Sequence, residues 1–439
     1  LAVIVFLLQK MGEIMLNETN FWLSTTSRPN FPATGLPTRV DLAVIGGGFS
    51  GLSAARILAR AGAKVAVLEA QTMGWGASSR NGGMVLTGMK LGVETLIKKY
   101  GRERAKRLFA LSLAAIDCVE EIVQAESIDC NFGRCGHLET AWKPAHFDGY
   151  ARAAEMLEKE VGHTVRIVPK ADIHSEIGSD LYHGGMVDET SAGINPARFV
   201  FGLANAAAQA GALILENTEV YDITKNHSDY TMKTSRGTLR AGQVFVGTSG
   251  YTSRTTPAIQ KRIIPIGSYI IATAPLPDAL AAEVSPRNRM IFDSKHFLYY
   301  FRLTPDNRML FGGRAAFMPE TAAATRNSAE ILQRGMIEVF PQLRDIPVEY
   351  VWGGNLDFSF DIMPHAGNLD GLWHAIGYAG HGVAFATHLG KTIAQQMLGE
   401  KVENPLADLP FPRIPFYNGN PLIHLPAAWL YYSLLDMIE

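Results

Sequence analysis

The 439-residue chain has only three cysteines, Cys118, Cys130 and Cys135, and no C-x-x-C pair. An odd number without metal-ligand spacing argues against a disulfide framework or a zinc site and fits a reducing compartment. Charge is also sparse. Charged residues make up 19%, the net charge is −2 and the isoelectric point is near 6.7. No block of like charges occurs, so nothing points to nucleic acid or an anionic lipid surface. The opening LAVIVFLL has eight apolar residues, whereas a spanning helix takes about 20. No basic region precedes it and no small-residue cleavage site follows. Residues 1–10 are expected to be a frayed extension or a misplaced start, not an anchor. Internal repeats and low-complexity linkers are absent.

What is present is an apolar content of 47% in a chain too long for one ordinary core, which makes two domains the natural expectation. Val40–Ile45, a glycine loop, Leu52–Ala59 at helical spacing and Lys64–Leu68 read as strand, helix, strand. Residues 92–126 read as helical with one charged side. A second α/β unit starts at Asn195-Pro196, a cap followed by proline at the first helical position. A third is Leu372–Ile376 followed by a helix from Val383 to Leu398. Residues 263–315 read mostly as strands, with FLYYFRL and RMLFGG flanking a hairpin loop at Thr304–Asn307. The expected fold is α/β with two domains: a discontinuous Rossmann-like nucleotide domain and a mixed or antiparallel-sheet substrate domain. The division is 1–37 as an N-terminal extension; 38–87, 165–250 and 350–400 as the nucleotide domain; 88–164 and 251–349 as the substrate domain; and 401–439 as a tail on the body.

The stretch IGGGFSG at 45–51 places Gly46, Gly48 and Gly51 in a G-x-G-x-x-G pattern. The first glycine permits the tight turn, the second a close approach to pyrophosphate, the third helix-on-strand packing. Phe49 and Ser50 open the helix, whose unpaired N–H groups favour an anion. Glu69, followed by Ala70, ends the second strand, where a carboxylate takes ribose hydroxyls and repels a 2′-phosphate. A second loop, GASSRNGG at 76–83, supplies Ala77, Ser78, Ser79, Arg80, Asn81, Gly82 and Gly83, with Met84 behind it. Its hydroxyls and amide can donate or accept, Arg80 can offset phosphate charge, and the glycines leave room for a flat ring. A nicotinamide site needs no such second loop. A third loop, GYAGHGV at 377–383, offers Gly380, His381, Gly382 and Val383 at another helix amino end.

Together these loops resemble the flavin-dependent amine and amino-acid oxidoreductases of the D-amino-acid oxidase superfamily. The hairpin FLYYFRLTPDNRMLFGG, WGGN with Met363-Pro364 beyond it, and the tail with PF at 415–416 and WLYYSLLD at 429–436 are similar to the γ-glutamylputrescine oxidoreductase branch. The resemblance runs from about residue 20 to the end. It implies FAD, bound non-covalently, since no cysteine follows Cys135 and SSRNGG has no histidine. It implies that Val220 meets the adenine by its backbone, that Thr248 and Gly250 pass near the pyrophosphate or ribityl chain, and that Trp352 and Gly354 pass near the ring, although Trp352 reads equally as core. The implied reaction oxidises an amine C–N bond to an imine that hydrolyses to an aldehyde, with O2 returned as H2O2.

Tyr300 and Arg302 alternate on one strand and so face one side. By resemblance they hold substrate, with Arg302 available for a distant carboxylate; a surface ion pair is the plainer reading. His381 could line the flavin, accept the amine proton, or simply cap its helix. Lys295, His296 and Tyr299 could edge the pocket or sit on the hairpin surface. The expected partners are a small-molecule amine and O2 or another electron acceptor. No metal, nucleic acid or transmembrane segment is expected, and peripheral membrane contact stays open. The expected location is cytoplasmic. The main alternative is an amino-acid or secondary-amine dehydrogenase feeding a quinone, supported by the apolar first residues and the PAAWLYYSLLD tail. Further alternatives are a non-catalytic flavin module and a nicotinamide dehydrogenase.

Overall fold

The computed structural model describes residues 16–316 and 321–420. Two eight-stranded sheets organise it. In the first, strand Arg39–Ile45 lies parallel between Val65–Leu68 and Gly237–Val246. Leu213–Leu215 extends it on one side and Leu372–Ile376 on the other, both parallel. Val65–Leu68 is buried throughout and Arg39–Ile45 along most of its length. Near-continuous apolar runs of this kind suit parallel strands covered on both faces. Helices Phe49–Arg60, Pro196–Gln209 and Gly382–Met397 pack together, and Asn195 caps the second by accepting from the Arg198 N–H.

The second sheet is mixed. Val348–Ser359 pairs antiparallel with Ile263–Pro275 along its whole length. The order continues through Arg308–Ala316, Tyr300–Leu303, Met290–Asp293, His137–Thr140, Gly184–Asp188 and Arg166–Pro169. The hairpin around Thr304–Asn307 forms as expected, with Leu303 opposite Met309.

Pairing cuts across the expected boundaries. Arg166–Pro169, Gly184–Asp188 and Val348–Ser359 join the second sheet, not the nucleotide sheet. Strand hydrogen bonding decides this, and it is blind to distance along the chain. The helical stretch over 92–126 forms as two helices, Val93–Tyr100 and Arg102–Ala125, parted at Gly101 with φ +81°. The second packs on Gly382–Met397, so it belongs with the nucleotide core. Residues 20–25 are no loose extension: Trp22 is 1% exposed within the main core. The apolar first residues and the WLYYSLLD tail lie outside the described residues. Among the described residues no helix is long and apolar enough to cross a membrane.

Gly390 marks a close contact between helices Gly382–Met397 and Phe49–Arg60. A methyl group there would stand 2.3 Å from the Ser50 carbonyl oxygen. The Gly390→Leu variant should lose about 1–3 kcal/mol of stability from overpacking, read as a lower urea midpoint. An unchanged midpoint would show that the two helices separate freely.

Candidate active site

The glycine loop is built by backbone meeting backbone. Gly46 has φ +105°, and a Cβ there would lie 2.8 Å from the Gly247 carbonyl oxygen. A Cβ on Gly51 would lie 2.0 Å from the Gly46 oxygen, and one on Gly48 would lie 2.7 Å from Ser78 Oγ. Ser78 Oγ accepts from the Phe49 N–H at 3.0 Å, so the second loop stands at the helix amino end. The Phe49 ring turns inward against Phe199. Glu69 accepts from the Gly47 N–H at 2.7 Å and from the Gln71 N–H at 2.9 Å. Burial raises its carboxyl above the usual range. Ala70 beside it is exposed. The Thr218 N–H donates to the Glu69 carbonyl at 2.7 Å, which brings the start of the Val220 strand alongside. The Val220 carbonyl itself takes the Thr255 hydroxyl at 3.1 Å. Thr248 leads into a short turn, and Gly250 there packs on the Asn355 carbonyl.

The second loop is clamped from several sides. Ala77–Arg80 is one helical turn. Asn20 Nδ2 donates to the buried Ser79 carbonyl, and Trp22 Nε1 donates to the Asn81 carbonyl, both at 2.8 Å. Asn81 Oδ1 accepts from the Gly83 N–H. Arg80 donates to the carbonyls of Trp75 and Gly353 at 2.8 and 2.9 Å and lies over the Trp75 ring. Trp352 is core, and its indole N–H donates to the Arg80 carbonyl at 3.0 Å. Gly354 lies against the Arg80 stem.

In the third loop, Asp357 accepts from the N–H groups of Gly377 at 2.6 Å and Tyr378 at 3.2 Å. Tyr378 Oη meets Ser50 Oγ at 2.7 Å and so ties this loop to the first helix. His381 precedes helix Gly382–Met397, but its side chain makes no capping bond. Its Nδ1 is buried without a partner. Burial, helped by the nearby Lys90 charge, holds its pKa at about 4.

A cavity of about 1500 Å³ opens between the loops and the second sheet. Ala77, Arg80, Asn81, Gly82, Met84, Gly354, Gly380, His381 and Val383 line it from the loop side. Tyr300 lines it from the sheet, its ring against Gly82 and Gly312. Burial pushes the Tyr300 hydroxyl up to about 12, so it stays protonated. Arg302 differs from expectation. It is 6% exposed and donates to the carbonyls of Gly83 at 2.9 Å, Ile194 at 3.1 Å and Leu303 at 3.2 Å. It braces the second loop from behind and does not line the cavity. Lys295 and His296 do line it, whereas Tyr299 packs on Phe311.

These features suit a dinucleotide carrying a flat ring. A Cβ-free cradle meets a helix amino end, the Glu69 carboxylate bonds to the glycine loop, and a cavity lies beyond. The chain matches the model of the FAD dependent oxidoreductase family over residues 41–396. The chain belongs to that family. FAD is therefore its cofactor, and no cysteine stands on the cavity wall to bond it. The chain is 32% identical to a probable oxidoreductase OrdL of Haemophilus influenzae, over 92% of this chain and 94% of that protein. It is 31% identical to the γ-glutamylputrescine oxidoreductase of Escherichia coli, over 91% and 93%. Among solved structures, glycine oxidase from Geobacillus kaustophilus superposes with a TM-score of 0.73 at 21% identity, over 86% of this chain and 99% of that one. The two-layer fold is that of these flavoenzymes, and the protein is an FAD-dependent amine or amino-acid oxidoreductase.

Sequence reading missed Asn20, Trp22, Asp357, Lys90 and Glu139. None sits in a motif; each reaches the site only through tertiary packing.

Burial pushes the Asp357 carboxyl from its ordinary 3.8 up to about 6. The folded state thus holds this proton more tightly than the unfolded chain. The group's stabilisation is full below about pH 4 and is lost as pH rises to about 6. Between those limits the stability of Asp357→Asn relative to the parent should gain roughly 3 kcal/mol. Urea unfolding across the range tests it, and a constant difference would reject it. Separately, Arg302→Met should destabilise by about 1.5–3 kcal/mol and loosen FAD. A rise in KM with FAD retention intact would instead restore a substrate role.

Proposed function

We propose that this protein oxidises the terminal C–N bond of a γ-glutamylputrescine-type amine, with O2 as the acceptor. FAD, when bound, accepts the hydride from the carbon next to nitrogen, leaving an imine that hydrolyses to the aldehyde and ammonia. The chain's part is to bind and orient the amine and to exclude water. A free alkylamine has a pKa near 10, roughly that of lysine, so it arrives protonated. His381, held at about 4, is neutral and too weak a base to keep that proton. The buried wall at Tyr300 and Gly82 disfavours a charged amine instead, so desolvation supplies the neutral form. Positioning then does most of the work.

The observation that carries the substrate class is the fate of Arg302. The strand arginine best placed to clamp the carboxylate of a small α-amino acid is spent on backbone carbonyls. The likeness to the Escherichia coli γ-glutamylputrescine oxidoreductase supports the same choice.

Anaerobic mixing of the yellow holoprotein with γ-glutamylputrescine should bleach the visible band, and air should restore it with H2O2 formed. Bleaching only by sarcosine or D-amino acids would overturn the substrate class. Bleaching without reoxidation by air would move the acceptor to a quinone.

A further inference from the structure

The cavity wall on the side of the second sheet is densely charged, and most of those charges are already matched. Lys295 Nζ lies 3.2 Å from Asp293 Oδ2 and 3.8 and 3.6 Å from the ring centres of Trp142 and Tyr299. Asp188 accepts from Thr87 and pairs with His163, each at 2.6 Å. His137 is bonded to Ser191 at 2.8 Å and kept neutral by burial.

Lys90 and Glu139 are different. Both line the cavity. Lys90 comes from the stretch between strand Met84–Val85 and helix Val93–Tyr100, and Glu139 from strand His137–Thr140. Protein surrounds Lys90 deeply, yet the residue is exposed, so its free surface faces the cavity. The two charges are near enough to act on each other. Neither makes an ion pair among the described residues. Beside Glu139 stands Tyr150, 6% exposed. Burial raises the Glu139 carboxyl above its usual range, the Lys90 charge and then the Tyr150 hydroxyl oppose that, and the hydroxyl meets no partner at full hydrogen-bond geometry. Opposite charges that face one cavity without pairing leave room for a group that joins them. A group with an ammonium and a carboxylate on one carbon would join these.

We propose that Lys90 and Glu139 read the α-amino-acid headgroup at the far end of the substrate, Lys90 taking its carboxylate and Glu139 its ammonium. This deepens the amine-oxidation reading and rests on it for the direction in which the substrate lies. It makes the pair a specificity device, acting away from the bond that breaks.

Three amines test it: γ-glutamylputrescine, glutarylputrescine without the α-ammonium, and 4-aminobutyrylputrescine without the α-carboxylate. The holoprotein should prefer the first over either analogue by about 30-fold or more in kcat/KM, the scale of leaving a buried charge unpaired. Lys90→Met should collapse the preference over the carboxylate-free analogue, and Glu139→Gln the preference over the ammonium-free one. Equal use of all three by the parent protein, or uncrossed losses in the variants, would overturn the assignment. If no amine bleaches the flavin, the functional reading fails by itself. The headgroup site is then read by titrating γ-glutamylethylamide, which keeps the α-amino-acid headgroup but lacks the terminal amine of the putrescine arm, against the flavin absorption spectrum. Saturable binding weakened by both substitutions supports the site, and no binding rejects it.

Discussion

The amino end of helix Phe49–Arg60 is where three stretches of backbone converge with no side chain between them. Gly51 lies on the Gly46 carbonyl, Gly46 on Gly247, and Gly390 of the last helix on the Ser50 carbonyl. Everything else at the site hangs from this seam. It brings the loops at 76–83 and 377–383 within hydrogen-bond reach of the same helix. A single methyl group at any of these contacts forces backbone apart, because the atoms in the way cannot rotate aside.

The nucleotide half was readable because its rules are local. A strand, a glycine turn and a helix are successive, so the roles of Gly46, Gly48 and Gly51 follow from spacing. The hairpin through Tyr300 was readable for the same reason. The substrate half was not. Arg302 and Tyr300 do face one side, as alternation requires, yet only Tyr300 reaches the cavity. Whether a side chain on that face is free depends on Gly83 and Ile194, far away in sequence. Lys90 and Glu139 carry no motif and come to one cavity only because the stretch before helix Val93–Tyr100 lies over the second sheet. Sheet membership failed similarly at Val348–Ser359, whose partner strand starts at Ile263.

The electrostatics of the cavity sort into two kinds. Near the loops, burial holds groups neutral: His381 stays unprotonated and the Tyr300 hydroxyl stays protonated. A hydride transfer is helped by such a wall, which leaves the amine no competing base or acid. Toward the second sheet, full charges persist, most of them paired within the protein. One cavity can thus desolvate one end of a molecule and hold charge at the other.

The clamp on the second loop comes from Asn20 and Trp22, near the beginning of the described chain. The third loop and its helix lie past residue 376. The cofactor cradle is therefore closed by segments made first and almost last. During synthesis on the ribosome the early segment meets the second loop 59 residues later, but the cradle stays open until more than three-quarters of the described chain has emerged. Long-range closure of this kind is slow. The FAD cradle is consequently completed late, when the loop before helix Gly382–Met397 arrives.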